Sequence, residues 1–167
     1  MLRRVIKHAV VSIAALFVIF VTFSSSSAAK VTAKMSIYGP LGTYEVMGGA
    51  AQVFKNIVES KTGGEIEVQI YPDRQLGGDM DTVRGADTGM IEIVMCSDGG
   101  LASFVPEVQA IGLPYLFPSE DVAWRVLNGP MGDKIKAAVE KKLKVYVLGI
   151  AQNGFRSFTN NRRVIKT

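Results

Sequence analysis

Side chains that could perform catalytic or metal chemistry are few in this sequence of 167 residues. His8 is the only histidine, and it lies in an N-terminal stretch that we expect to be removed, so the remaining chain lacks a histidine base. Metal binding by a cluster of histidine and cysteine fails as well, because Cys96 is the only cysteine. The sequence therefore predicts no enzyme activity, no metal and no cofactor.

The remaining candidates for chemistry also have structural explanations. Asp79 and Asp81 could hold a divalent ion, but two acidic residues that open a helix are better explained by the positive end of the helix dipole. The surrounding "GGDMDTVRG" has neither the glycine order of a dinucleotide site nor a P-loop lysine, so it does not predict a phosphate site. Cys96 lies in an apolar segment and is expected to pack as a small hydrophobic residue.

The first 29 residues have the order of a secretory signal peptide. Arg3, Arg4 and Lys7 precede an apolar run over 9–23, and small residues lead to a predicted cleavage before Lys30. The run is shorter than the ~20 residues that a membrane-spanning helix needs. We expect cleavage and export to the periplasm, and the alternative is an uncleaved N-terminal anchor.

The charge balance of the remaining chain excludes one class of partner. Removal of the signal takes three of the 19 basic residues and no acidic residue, which leaves 16 Lys and Arg against 15 Asp and Glu. Affinity for a phosphate backbone requires clustered basic residues. A net charge near +1 therefore gives no basis for binding nucleic acid.

Strands and helices alternate along the first half of the chain. The segments "VTAKMSIY", "EIEVQIY" and "MIEIVM" predict strands, the third of them buried on both faces. A helix is predicted from Thr43, its cap, to Gly63, and a second, short helix over 79–87. The predicted buried face of the first helix consists of Val46, Ala50, Val53, Phe54, Ile57 and Val58. This order indicates consecutive βαβ units and a parallel sheet covered by helices.

The second half predicts two helices and a further strand. Three prolines in "VPEVQAIGLPYLFP" predict a packed irregular segment instead of a helix. A helix capped by Ser119 runs to Leu127, and another runs from Pro130 to about Lys142 with Met131, Ile135 and Ala138 on one side. The segment "KVYVLGI" then predicts a fourth strand.

Three loops that follow predicted strands carry polar residues and glycine. They are residues 38–40 after the first strand, 97–100 after the third, and the region around Asn153 and Gly154 after the fourth. Ligands of open α/β sheets bind outside the carboxyl ends of the strands, and glycine lets backbone approach a ligand closely. These loops are therefore candidate ligand contacts, although each one taken alone is also compatible with an ordinary turn.

Three segments carry a resemblance to a known family. They are "YPDRQLGGDMDTVRGADTGMIEIVM", "LPYLFPSEDVAWRVLNGPMG" and "GFRSFTNNRRVI". In this order and spacing they resemble the solute-binding proteins of tripartite ATP-independent periplasmic (TRAP) transporters, of the dicarboxylate-binding type. The resemblance runs from about Lys34 to the last residue. It implies a type II periplasmic-binding-protein fold that captures an organic acid and delivers it to membrane subunits, with transport driven by an ion gradient.

The resemblance also implies site residues. Arg156 matches the arginine of the family's G-x-R-x-x-T-N segment, which contacts the ligand carboxylate in many members, and a guanidinium can meet both carboxylate oxygens. Tyr38, Ser97 and Asp98 are further candidate contacts because of their loops. Arg74 lies in a matched segment and is predicted to be a surface residue.

The sequence departs from the family at its end. Members continue with a "GLKIRV"-like segment, whose arginine is the principal carboxylate anchor, and then with a second lobe. We therefore expect residues 30–167 to form an N-terminal α/β lobe with the second lobe missing or incomplete. The alternative is a one-lobed remnant that acts only in protein–protein interaction or has no function.

Overall fold

The computed structural model describes residues 30–42, 45–155 and 161–162. These residues form three strands, five α-helices and one 3-10 helix, none of which is long and apolar enough to cross a membrane. In chain order they are β1 (Val31–Ile37), α1 (Val46–Lys61), β2 (Ile66–Tyr71), α2 (Asp79–Asp87), β3 (Ile93–Met95), α3 (Asp98–Ala102), the 3-10 helix (Pro106–Gly112), α4 (Glu120–Leu127) and α5 (Pro130–Lys142).

The described strands form one parallel sheet in the order β2-β1-β3. Strand β1 pairs with β2 from Val31 opposite Ile66 to Ser36 opposite Tyr71. It pairs with β3 over three residues, beginning with Met35 opposite Ile93. The predicted α/β fold with a parallel sheet and flanking helices is confirmed.

Two apolar clusters hold the described helices and strands together. The sheet cluster joins β1, α1 and β2 through Met35, Ile37, Ala51 and Val68, all of them buried. The helix cluster consists of Val83, Ala102, Val105, Val108, Ile135, Val139 and Leu143. Full burial of a side chain such as valine or isoleucine stabilises a fold by about 1.5–3 kcal/mol, so these clusters dominate the packing.

Helix α1 turns a different face to the sheet than the sequence predicts. Gly48 and Ala51 are buried, and Phe54 and Val58 pack against the sheet cluster. Four residues of the predicted face are exposed instead, namely Val46, Ala50, Val53 and Ile57. The reason lies at Gly48, where a side-chain Cβ would stand 2.6 Å from the carbonyl oxygen of Pro40, so the helix approaches the loop after β1 through its small residues.

The start of α1 also differs from the prediction. Glu45 occupies the N-cap position, and its side chain makes no capping hydrogen bond. The predicted cap, Thr43, lies outside the described residues.

An ion pair on α1 covers backbone groups of strand β2. The Val68 N–H donates to Oε1 of Glu59 at 3.0 Å, and Nζ of Lys55 donates to the Val68 carbonyl oxygen at 2.6 Å. Nζ of Lys55 lies 3.1 Å from Oε1 of Glu59. Because β2 ends the sheet on this side among the described strands, the pair occupies groups that could otherwise bind another strand.

Strand β3 is shorter and less buried than predicted. The Lys34 N–H of β1 donates to the side-chain carboxylate of Glu92 at 2.8 Å, and the Lys34 ammonium donates to the carbonyl of Met90. These two side-chain hydrogen bonds replace backbone pairing with β1 at this point, so β3 begins only at Ile93. Its three residues are half-buried, and the expected burial on both faces is wrong.

The predicted fourth strand is not formed. The Lys144 N–H donates to Oδ1 of Asp87, and the Val147 N–H donates to Oε1 of Glu140. Side-chain carboxylates thus take donors that a sheet ladder would need. The alternating pattern still decides which side chains face inward, because Val145 and Val147 pack on the helix cluster while Tyr146 is 86% exposed.

The proline-rich segment contains more regular structure than predicted. Residues 106–112 form the 3-10 helix, with Pro106 at its start and Val108 buried. The two later helices are confirmed, since Ser119 Oγ accepts a hydrogen bond from the Val122 N–H at the start of α4 and α5 begins at Pro130. On α5, Ile135 is buried and Ala138 half-buried, whereas Met131 of the predicted face is exposed.

Candidate functional site

The carboxyl ends of the three strands lie at one edge of the sheet. Strands β1, β2 and β3 are parallel neighbours and end at Ile37, Tyr71 and Met95. The segments that follow them therefore begin side by side, which is where open α/β sheets bind ligands. We call this the carboxyl edge and define it as residues 38–42, 72–78 and 96–98, together with 151–155, whose Asn153 contacts Tyr38.

The first of these segments contacts the end of the described chain. Tyr38 is half-buried, and its hydroxyl oxygen accepts a hydrogen bond from Nδ2 of Asn153 at 3.4 Å, across 115 positions of sequence. The predicted loops after the first and fourth strands are thus brought together, although the fourth strand itself is not formed. Gly154, next to Asn153, has a φ of +80°, a conformation that favours glycine.

The turn after β2 also packs on the end of β1. The Asp73 N–H donates to the Gly39 carbonyl oxygen at 3.0 Å, and the Arg74 N–H donates to the Ile37 carbonyl oxygen at 3.4 Å. This turn was not among the predicted ligand loops. Asp73 and Arg74 are exposed, as predicted for Arg74.

The segment after β3 is a helix start instead of a loop. Ser97 is the N-cap of α3, and its Oγ accepts a hydrogen bond from the Gly100 N–H at 3.2 Å. The Ser97 hydroxyl also lies 2.5 Å from Oδ2 of Asp79, to which it donates. The hydroxyl of this candidate contact is therefore occupied within the fold.

Asp98 occupies the first position of α3. Its side chain is exposed, and its Oδ2 would stand 2.6 Å from a Cβ placed on Gly112. The glycine thus lets the 3-10 helix approach this carboxylate closely. Asp98 can accept hydrogen bonds but cannot donate them when it is ionised.

Cys96 lies next to these residues, and its thiol is unreactive at neutral pH. Burial of the thiol, and secondarily the negative charge of Asp79, raise the pKa of Cys96 to about 11. The thiol is therefore protonated at neutral pH, which agrees with the expected role as a small packed residue.

No group of three or more His, Cys, Asp or Glu side chains suited to a metal ion occurs within the described part of the chain. Asp81 instead accepts a hydrogen bond from the Gly78 N–H at 3.1 Å, and Asp79 and Asp81 form the first turn of α2. Helix α2 therefore places negative charge at its own N-terminus, as the sequence predicts.

Arg156, the residue that the sequence motif singles out, lies outside the described residues. Tyr38, Ser97 and Asp98 are described, and all three lie at the carboxyl edge.

These features together define a class of protein. A parallel α/β sheet with flanking helices and polar segments at its carboxyl edge has the architecture of one lobe of a periplasmic binding protein. Residues 41–167 match the family described as "Bacterial extracellular solute-binding protein, family 7", also called DctP. The chain belongs to this family, which is a class of binding proteins and not of enzymes.

Individual relatives agree with this assignment. A solute-binding protein of Verminephrobacter eiseniae is 31% identical over 142 residues, which cover 85% of this chain and 42% of the relative. The 2,3-diketo-L-gulonate-binding periplasmic protein of Escherichia coli is 32% identical over 118 residues, or 71% of this chain and 36% of the relative.

A solved structure gives the same result for the fold. The TRAP periplasmic solute-binding protein of Sulfurospirillum deleyianum, with bound succinate, matches with a TM-score of 0.63 and 32% identity, over 68% of this chain and 36% of that one. The predicted resemblance to TRAP solute-binding proteins is confirmed. The chain spans 36% to 42% of the length of the two curated relatives, as expected for one lobe.

Proposed function

We propose that the protein containing this chain is the solute-binding component of a TRAP secondary transporter, which captures an organic acid and delivers it to membrane subunits. Family membership supports this proposal, since the chain matches bacterial extracellular solute-binding proteins over 127 residues, 41–167. The E. coli relative is named for a sugar-derived acid and the S. deleyianum structure holds succinate, so both ligands carry a carboxylate.

The observation that carries the proposal is the hydrogen bond between Tyr38 and Asn153. It brings the segment that leads to Arg156 against the end of β1. Because the Tyr38 oxygen accepts from Asn153, its own O–H hydrogen remains available to donate to a ligand oxygen. A carboxylate bound here would accept a hydrogen bond from the Tyr38 hydroxyl. We propose that Arg156, three residues after Asn153, supplies a guanidinium to the same carboxylate.

We assign Arg156 the main contact with the carboxylate in this part of the chain. A guanidinium presents a planar fork of donors that can bind both carboxylate oxygens, and such charge-assisted bonds are roughly twice as strong as neutral ones. Tyr38 is the second donor.

Ser97 and Asp98 have different proposed roles at the same site. The Ser97 hydroxyl already donates to Asp79, so we assign it to holding the start of α3 in place. Asp98 is exposed and accepts hydrogen bonds, which suits a ligand hydroxyl group better than a ligand carboxylate. A hydroxylated acid could therefore bind through its carboxylate to Arg156 and Tyr38, and through a hydroxyl group to Asp98.

The proposed function also requires export. Residues 1–29 are proposed to be a cleaved signal peptide that directs the protein to the periplasm. Mass spectrometry of the exported protein tests this point. A chain that begins at Lys30 supports it, and an exported chain that still begins at Met1 contradicts it.

The test of the binding function uses the protein expressed from its complete gene. Calorimetry with succinate and D-galacturonate should detect binding of at least one acid. Arg156→Gln should weaken that binding roughly 10- to 100-fold, the loss expected for a charged hydrogen-bonding group, while Arg125→Gln on α4 should leave it unchanged.

Two outcomes would contradict parts of the proposal. Equal affinity in Arg156→Gln and the parent protein would overturn the assignment of Arg156. Absence of acid binding, together with a complex with the membrane subunits that is unaffected by added acid, would favour a purely protein-binding role.

A further inference from the structure

We infer that Asn153 and Gly154 form a site of spontaneous deamidation, which converts Asn153 into aspartate or isoaspartate at the carboxyl edge. The inference follows from a comparison of two identical dipeptides, because asparagine precedes glycine at 128–129 as well as at 153–154. The two pairs have the same intrinsic chemistry, and the fold gives them different surroundings.

The reaction needs only the chain and water. The backbone nitrogen of Gly154 loses its proton and attacks Cγ of Asn153, which forms a new C–N bond and a cyclic imide. The bond from Cγ to Nδ2 breaks, and Nδ2 takes up a proton and leaves as ammonia. Water then opens the imide at either carbonyl, which gives aspartate or isoaspartate. Glycine favours the attack because it has no side chain to hinder the approach.

The surroundings of Asn153 and Gly154 leave the reacting groups accessible. Both residues are exposed, and they lie in neither a helix nor a strand. The Gly154 N–H has no hydrogen-bond partner among the described residues. Apart from its chain neighbours, no described atom lies within 4 Å of a Cβ placed on Gly154. The bond from Asn153 to the Tyr38 hydroxyl is 3.4 Å long, so it restrains the side chain only weakly.

The pair at 128–129 is held by the end of α4. Asn128 is the C-cap, and its N–H and Nδ2 both donate to the Trp124 carbonyl oxygen, at 3.0 Å and 2.9 Å. The Gly129 N–H donates to the Val126 carbonyl oxygen at 3.2 Å. Attack by this nitrogen would break that bond and rotate ψ of Asn128 from its value of 9°. Both asparagines are exposed, so hydrogen bonding and not exposure distinguishes the two pairs.

Deamidation would reverse a hydrogen bond at the carboxyl edge. The Asn153 amide donates to the Tyr38 oxygen, whereas a carboxylate at position 153 can only accept. The Tyr38 O–H would then donate to residue 153 and no longer to a ligand, and the edge would gain one negative charge. Weaker binding of an anionic ligand is the expected consequence. This consequence rests on the proposed function, and the deamidation itself does not.

The experiment compares the two pairs within one sample of the protein expressed from its complete gene. After incubation at mildly alkaline pH, mass spectrometry of the digested protein measures deamidation of each asparagine, and isoaspartyl methyltransferase detects isoaspartate. In the folded protein, residue 153 should react at least about 10-fold faster than residue 128, whose hydrogen bonds must break first. In urea the two should react at similar rates.

Two results would overturn the site. One is equal reaction of both asparagines in the folded protein, and the other is no reaction of Asn153 where the unfolded chain reacts. Gly154→Ala should slow the reaction of Asn153 in the folded protein and in urea alike, because its methyl group hinders the attacking nitrogen. An unchanged rate in this variant would contradict attack by the backbone of residue 154.

A pair of matched variants tests the consequence for binding. Asn153→Asp should weaken binding of succinate or D-galacturonate, whichever the parent binds, about 10-fold. Asn128→Asp makes the same change of charge on α4 and should bind like the parent. Equal affinity of Asn153→Asp and the parent would overturn the effect on binding. Deamidation at residue 153 in a parent that binds no acid would support the modification site and contradict the proposed function.

Discussion

The carboxylate of Asp79 accepts hydrogen bonds from both the hydroxyl and the backbone N–H of Ser97, at 2.5 Å and 3.4 Å. The two residues begin consecutive helices, because Asp79 is the first residue of α2 and Ser97 caps α3. The helices approach so closely here that a Cβ on Gly100 would stand 2.3 Å from the Cβ of Asp79. This contact fixes the start of α3, and with it Asp98, at the carboxyl edge.

Loss of this contact should destabilise the fold. We expect Asp79→Ala and Ser97→Ala each to lower the free energy of unfolding by about 1–2 kcal/mol, because each leaves a half-buried partner without its hydrogen bond. The double variant should lose less than the sum, since both changes remove the same interaction. Urea denaturation of the three variants and the parent protein measures this coupling. Strictly additive losses would mean that the two residues act independently.

The thiol of Cys96 should react slowly in the folded protein. Burial and the neighbouring charge of Asp79 raise the pKa of Cys96 to about 11, so the reactive thiolate is a small fraction of the thiol at about pH 8. Modification by Ellman's reagent should be at least ~100-fold slower than that of the same chain unfolded in urea. A native rate close to the unfolded rate would contradict the burial of this side chain.

The hydrogen bond between Glu59 and Val68 should make stability depend on pH. The Val68 N–H, followed by Lys55, holds the pKa of Glu59 below its usual value. Because the pKa is lower in the folded protein, this interaction stabilises the fold above the unfolded pKa and loses its contribution as pH falls through the folded pKa.

We therefore expect Glu59→Gln to be less stable than the parent at about pH 7, with a difference that shrinks as the pH approaches about 3. Urea denaturation across this range provides the measurement. Glu65→Gln, which removes a carboxylate directly before β2, is the control for loss of one negative charge near this strand. A constant difference at all pH values would exclude titration of Glu59 as the cause.

Local patterns in the sequence were sufficient for the elements that depend on local chemistry. The period-two pattern of 31–37 and the turn residues after Tyr71 define β1 and β2, and α2 has the predicted bounds. The cap at Ser119 is also confirmed, because a serine before an acidic first turn is a local signal. The placement of Tyr38, Ser97 and Asp98 at one edge follows from the βαβ order alone.

Elements that depend on distant side chains could not be predicted in this way. Glu92 replaces part of the β3 ladder, and Asp87 and Glu140 take the backbone donors of the predicted fourth strand. No pattern within 144–150 reveals that carboxylates elsewhere in the chain bind its N–H groups. The turn after β2, in which Asp73 and Arg74 have φ values of +51° and +58°, was missed because neither residue is glycine.

The close approach of α4 to α5 gives the largest stability effect that we expect from a single methyl group. Gly132 is buried in the first turn of α5, and a Cβ there would stand 1.8 Å from the carbonyl oxygen of Leu127, the last residue of α4. The neighbouring atoms are backbone, so they cannot rotate away, and one of the helices must shift.

We expect Gly132→Ala to lower the free energy of unfolding by about 2–3 kcal/mol in urea denaturation. Gly149→Ala is the control, because nothing lies within 4 Å of its Cβ position, and it should change stability by less than about 0.5 kcal/mol. Equal stability of the two variants would show that the helices do not pack through Gly132.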